Sequence, residues 1–325
     1  MATSWMVQYK KINWRKVLLM ALAAYVVAFC FRAHEIPSWN NPDYKLDGEY
    51  LLATHDAYYW MAGAVGFGPG AEHPMSQVLK GLSSITGASP ANIGFWLPLF
   101  IAPLVASVVT IWAVVFGVRN SGIVAGVLAC LAPGFLGRTL LGYCDTDLVT
   151  LLFALVIGLV PAMWLAPAMR SPMAVLGNFL GADVRRLAII SPKQVRGNPL
   201  SRKWLLALFL SGLFGHWAKE WHSLFTYLIV WYALLVPLAI SICSIRSERA
   251  TLLRAAPVYA LPLIGGMWGA VLGFILLLGL INVIPRLNKI IWQKKAPLLL
   301  WAIVLFGAIE PHLFTSLWRM VGSYM

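Results

Sequence analysis

Three segments of this sequence carry residue types that bind hard cations and phosphates. THDAYYW contains Asp56, GRTLLGYCDTD contains Arg138, Asp145 and Asp147, and AIEPH contains Glu310. Asp145 and Asp147 flank one threonine just before the apolar run LVTLLFALVIGLV. A single Asp there is explained by capping, because its carboxylate accepts hydrogen bonds from free backbone N–H groups and favours the helix dipole. Two acids are more than capping needs, and like charges so close are costly unless a cation or an arginine relieves them. In a turn, one of the pair can bind a metal while the other caps or orients. Arg138 can complement a helix C-terminus or snorkel to the interface. It can also clamp a phosphate bidentately with its planar guanidinium. Taken alone, Asp56 reads as a solvated loop acid, His55 as structural and Glu310 as an acid at the end of a span. HWAKEWH, with His216, Lys219, Glu220 and His222, reads as an interface turn, and its histidines lack the i, i+4 spacing of a helical metal pair.

The elements that must position these groups are membrane helices. Of 325 residues, 60% are hydrophobic and 11% charged, against about 25% charged in soluble domains. That excludes an ordinary soluble protein, and disorder, which needs low hydrophobicity and many charges. The short alternating segments of a membrane β-barrel are not seen. The fold class is therefore all-α, a polytopic helical membrane protein. The net charge of +13 would suggest nucleic acid in a soluble chain, but here it fits the Lys and Arg that collect in cytoplasmic loops. The four cysteines are scattered, with neither metal spacing nor a disulfide framework. The first apolar run, Val17 to Phe31, follows a basic tail without a small-residue cleavage site and reads as a retained helix.

Expected spans are 17–33, 93–117, 121–138, 147–167, 204–218, 222–243 and 296–309, with an external loop at 34–92 and a cytoplasmic loop at 168–203. With the N-terminus inside, the basic cluster Arg286, Lys289, Lys294 and Lys295 falls inside only if the chain crosses twice between 256 and 286. Gly265 and Gly266, with Pro257 and Pro262 before them, mark a tight hairpin of helices at about 248–265 and 267–285. The result is about nine transmembrane helices. In this topology 10 of the 12 acids lie outside, with only Asp183 and Glu248 inside, so the outer face concentrates groups that bind hard divalent cations.

The run GRTLLGYCDTDLV resembles the second external motif of the oligosaccharyltransferase catalytic subunit family, whose bacterial branch is called PglB; Cys144 stands where that motif carries a second aromatic. HDAYYW resembles the family's first-loop acidic motif, and Glu310 matches the glutamate of its late external loop by place. The resemblance implies a glycosyltransferase C-type (GT-C) architecture. It also implies transfer of an oligosaccharide from a polyprenyl-pyrophosphate lipid to Asn in Asn-x-Ser/Thr. The implied metal ligands for Mg²⁺ or Mn²⁺ are Asp56, Asp145 and Glu310. Asp56 and Glu310 would also contact the acceptor amide, Asp147 would support the metal site through its hydration shell, and Arg138 would bind the pyrophosphate. The implied partners are the lipid-linked oligosaccharide, a sequon-bearing acceptor protein and membrane lipid, with no nucleic acid. The implied location is the bacterial inner membrane, with the active face periplasmic. No Trp-Trp-Asp occurs in the sequence, so residues 1–325 are expected to be the transmembrane domain, with the soluble sequon-binding domain absent.

Three other readings compete. Another polyprenyl-phosphate-sugar GT-C enzyme would not need the cluster from Arg138 to Asp147. A transporter would place ionisable residues at mid-membrane on broken helices. A catalytically inactive remnant would act as a membrane partner.

Overall fold

The computed structural model describes residues 13–116, 118, 120–166, 200–244 and 246–282. The expected cytoplasmic loop 168–203, apart from its last four residues, lies outside the described residues, as do the last span 296–309 and Glu310. The described residues form two compact units, one within 13–156 with 220–223, the other within 157–219 and 224–282.

The first unit begins with α1 (Trp14–Ala33), capped by Asn13, whose side chain accepts from the Lys16 N–H. Its buried face runs Val17, Ala21, Ala24, Ala28 and Arg32, a helical stripe of mostly small residues. The opposite face exposes Leu18, Leu19, Leu22, Val26 and Phe31. That is the pattern of a span with lipid on one side and close helix packing on the other. The small stripe meets α5 (Leu104–Val115) and α6 (Gly122–Cys130). There Ala24, Ala28, Ala106 and Cys130 form a core, and a Cβ on Gly126 would collide with the Ala106 carbonyl oxygen.

Residues 34–92 were expected as a loop, but they fold. A two-residue hairpin pairs β1 (Lys45–Leu46) with β2 (Glu49–Tyr50). Two helices follow, α2 (His55–Ala64) and α3 (Pro74–Thr86). Each has a capped start. Thr54 caps α2 through the Ala57 N–H, and His73 caps α3, which has Pro at its first position. Asp56 is thus in the first turn of a helix rather than in a loop. The expected span 93–117 is two helices, α4 (Pro90–Ile101) and α5, joined at Ala102–Pro103. The expected span 121–138 is also shorter, since α6 stops at Cys130 before the single turn α7 (Pro133–Leu136). Pro133 disfavours helical backbone at the residue before it, so Ala132 is extended. Arg138 therefore lies in the turn after α7, not at the end of a long helix.

A core of Leu52, Ala57, Leu79, Phe95, Leu141, Cys144 and Trp221 gathers α2, α3, α4 and the turn before α8 (Asp147–Leu165). Tyr50 stacks on Phe95 with ring centroids 4.2 Å apart.

The second unit contains the C-terminal part of α8, α9 (Arg202–Trp217), α10 (Leu224–Cys243), α11 (Arg246–Ile264) and α12 (Gly266–Asn282). The expected hairpin is present, breaking at Gly265–Gly266, where Gly266 has φ +56°. Its arms pack closely, because a Cβ on Gly269 would strike the Leu261 carbonyl oxygen. Pro161 lies inside α8 and cannot donate to the Ile157 carbonyl one turn earlier. Ser211 Oγ (3.2 Å) and Tyr259 Oη (3.3 Å) donate to that carbonyl instead. In an apolar surrounding such a freed carbonyl must find a partner.

Among the described residues four stretches are long and apolar enough to cross a membrane: Trp14–Asn40, Pro90–Val115, Asp147–Leu165 and Leu224–Cys243. The chain is an all-α membrane protein.

Candidate active site

Arg138 and Asp145 are carried by one short loop, 137–146, which leads into Asp147 at the start of α8 and is fastened at four places. Arg32, at the end of α1 and almost fully buried, donates from Nη1 to the Thr139 carbonyl (2.6 Å) and from Nη2 to Thr139 Oγ1 (2.6 Å) and the Cys130 carbonyl (3.2 Å). Glu35 Oε1 accepts from the Leu141 N–H at 3.0 Å. Gly142 receives the Ala53 N–H on its carbonyl (2.9 Å) and gives its own N–H to the Phe95 carbonyl (3.0 Å). It has φ +74°, and a Cβ there would lie 3.1 Å from Ala53 N. The left-handed conformation and the close approach both favour glycine. The fourth fastening is Cys144, which is fully buried. Burial, with the neighbouring Asp145 charge adding, pushes its thiol up to about 12, so it packs as a small hydrophobe.

This loop presents Asp145 with its side chain largely enclosed, 7% exposed. Its Oδ1 accepts from the Thr146 N–H (2.6 Å), Thr146 Oγ1 (3.3 Å) and the Trp60 indole Nε1–H (3.1 Å). Among the described residues no hydrogen bond falls on Oδ2. Asp145 thus does not cap α8 through that helix's own N–H groups. Trp60 projects from α2 one helical turn after Asp56, so the two share a face of that helix. Asp56 is about half exposed, with Oδ1 3.1 Å from His55 Nε2.

Behind Trp60 stands His73, stacked on its indole with centroids 4.1 Å apart. His73 Nδ1 accepts from the Met75 N–H at 3.2 Å, and the ring also bonds the Trp221 backbone. Burial lowers the His73 pKa below its ordinary value, outweighing that bond and the charges of Asp145 and Glu220, which raise it. Trp221 packs edge-on against Phe153 of α8.

Asp147 opens α8 and forms an ion pair with Arg138, whose side chain is 60% exposed. The Asp147 carboxylate, followed by Tyr143, holds the guanidinium above its ordinary pKa, so the cation is permanent. The structure therefore brings Asp145, Asp147 and Arg138 together around one loop, with the Asp56 helix tied to them through Trp60. Glu310 lies outside the described residues. Among those residues no three His, Cys, Asp or Glu side chains gather closely enough to hold an ion.

The family model described as "Oligosaccharyl transferase STT3, N-terminal" matches residues 55–305, a stretch that begins at the first residue of α2 and includes Asp56, Arg138, Asp145 and Asp147. The chain belongs to this STT3 family. Membership makes it a chain of the oligosaccharyltransferase type, among glycosyltransferases built on transmembrane helices. No curated protein matches the chain.

Sequence reasoning missed Trp60, His73, Trp221, Arg32 and Glu35 as parts of this region. The aromatics after Asp56 were visible, but the contact from Trp60 to Asp145 joins residues 85 apart, which no local pattern signals. Only Gly142 had a local signal, a glycine within the motif before the acids.

Proposed function

We propose that the chain transfers an oligosaccharide from a polyprenyl-pyrophosphate lipid to the side-chain amide of Asn in Asn-x-Ser/Thr, at the periplasmic face of a bacterial inner membrane. Beside STT3 family membership, the observation that carries the reading is the Asp145 carboxylate. It is enclosed, held on one oxygen and, among the described residues, unbonded on the other, next to the Arg138–Asp147 pair and the helix of Asp56.

The donor set suits Mg²⁺ or Mn²⁺, because carboxylate oxygens are the hard ligands these ions prefer and Asp145 keeps Oδ2 open. Asp56, Asp145 and Glu310 would hold the ion, with Asp147 supporting it through its hydration shell. When bound, such an ion stabilises negative charge developing on the leaving pyrophosphate. Arg138 binds the same pyrophosphate, and its cation stays oriented by Asp147 until the substrate arrives. The acceptor nitrogen is a poor nucleophile because its lone pair is delocalised into the carbonyl. Asp56 and Glu310 accept hydrogen bonds from its N–H groups and turn it out of conjugation. The new bond joins that nitrogen to the sugar carbon as the bond from this carbon to the phosphate oxygen breaks; the pyrophosphate leaves with that electron pair, and the nitrogen gives up one of its two protons to a carboxylate that was accepting it.

The test uses membranes containing the chain, a lipid-pyrophosphate glycan, a sequon peptide and Mn²⁺. Glycopeptide is expected from the unsubstituted chain, and Asp145→Ala is expected to remove it. Unchanged product in the Asp145→Ala membranes would overturn the metal-site reading.

A further inference from the structure

Asp145 is held by a support that reaches well beyond the acidic motif. Its Oδ1 meets the indole N–H of Trp60, and the indole lies flat against His73. His73 in turn is anchored at the N-terminus of α3 by the Met75 N–H and at Trp221 by a backbone bond. Trp60 is further fixed by its own carbonyl, which accepts from Ser76 Oγ at 2.9 Å. Ser76 is completely buried and sits in the first turn of α3. The indole thus has one donor, aimed at the carboxylate, and a ring clamped by the helix behind it.

We propose that Trp60 and His73 are positioning residues that lock the rotamer of Asp145, turning Oδ2 toward the space where a divalent cation would sit. A carboxylate free to rotate would exchange its two oxygens. One with Oδ1 pinned by three donors presents the other in a single direction. Partners that orient a metal ligand in this way change metal affinity roughly 10- to 100-fold when removed. The proposal rests on the reading of Asp145 as a cation ligand. It adds that the support is built from Trp60, the last residue of the HDAYYW segment on α2, and from His73 at the start of α3.

The experiment titrates the full-length chain, purified in detergent, with Mn²⁺, reading free Mn²⁺ by electron paramagnetic resonance. Four proteins are compared: unsubstituted, Asp145→Ala, Trp60→Phe and His73→Asn. Trp60→Phe keeps an aromatic ring against His73 and removes the donor. His73→Asn keeps a side chain able to cap α3 and removes the ring, so it folds even if Trp60→Phe does not. Each of these two is expected to weaken Mn²⁺ binding about tenfold or more, with the metal-free melting temperature of His73→Asn within a few degrees of the unsubstituted chain. Wild-type affinity in both, alongside weak binding by Asp145→Ala, would refute the positioning role and leave the ligand reading standing. Wild-type affinity in Asp145→Ala would overturn both.

Discussion

Substituting Arg32 tests whether one buried guanidinium shapes the loop that carries the acids. Its fork reaches two atoms of Thr139 and the Cys130 carbonyl at once. Lysine has the charge but only a single nitrogen, so Arg32→Lys can keep one of these bonds with good geometry and loses two. Hydrogen bonds to a charged group contribute about 1.5–3 kcal/mol each, and partial relaxation trims the sum. The expected destabilisation is about 3 kcal/mol, or roughly a hundredfold in the folding equilibrium. Arg32→Leu removes the charge and leaves the Thr139 hydroxyl and two carbonyls without this partner, so it should cost at least as much. Unfolding in mixed micelles, followed by tryptophan fluorescence, measures both. A local readout comes from trypsin, whose site after Arg138 lies within the fastened loop. Both variants should be cut there faster than the unsubstituted chain under native conditions. If both unfold within about 0.5 kcal/mol of it, the range of a bland surface change, and are cut at the same rate, the loop does not depend on Arg32.

Three further outcomes follow from the same region. Gly142→Ala forces a side chain into left-handed backbone and against Ala53 N, and should destabilise the chain by about 1–2 kcal/mol or more, read by the same unfolding assay. His73 is depressed below its ordinary value of 6.5, so between the folded and unfolded values the unfolded chain binds more protons. The stability this neutral ring supplies is present above pH 6.5 and is lost as pH falls through that value toward the folded one. His73→Asn should flatten that part of the profile of unfolding free energy against pH. The Cys144 thiol, buried and pushed up to about 12, should resist alkylation by iodoacetamide at pH 8 until the chain is unfolded, as mass spectrometry of the labelled peptide would show.

Much of the helical framework could be read from composition and charge. The hairpin at Gly265–Gly266 was legible because the positive-inside rule required two crossings where two glycines allowed a sharp break. α1 and α8 were legible as long apolar runs. The helices α2 and α3 were not, because residues 34–92 mix apolar and polar side chains without a long hydrophobic run, and their caps Thr54 and His73 are weak signals in a chain dominated by membrane spans. The interruptions at Ala102–Pro103 and before Pro133 were hidden inside continuous apolar sequence, where hydropathy is blind to a missing N–H. At the site, Asp145, Asp147 and Arg138 stood out by charge in an apolar setting. Trp60 and His73 did not, since aromatics near an interface are ordinary and their role depends on a partner far along the chain.

The fastenings of the acidic loop all reach back across long stretches of chain. Arg32 waits for Thr139, 107 residues later, Glu35 for Leu141, 106 later, and Trp60 for Asp145, 85 later. At a ribosomal pace of about 5–20 residues per second, these partners arrive roughly 5–20 seconds after the segments that need them. During that interval a buried-type arginine and a cluster of indole and phenol rings stand at the membrane without their native mates. Biogenesis is therefore most vulnerable before the turn after α7 has been delivered, and an arrest of synthesis short of residue 139 should leave this region open to proteases.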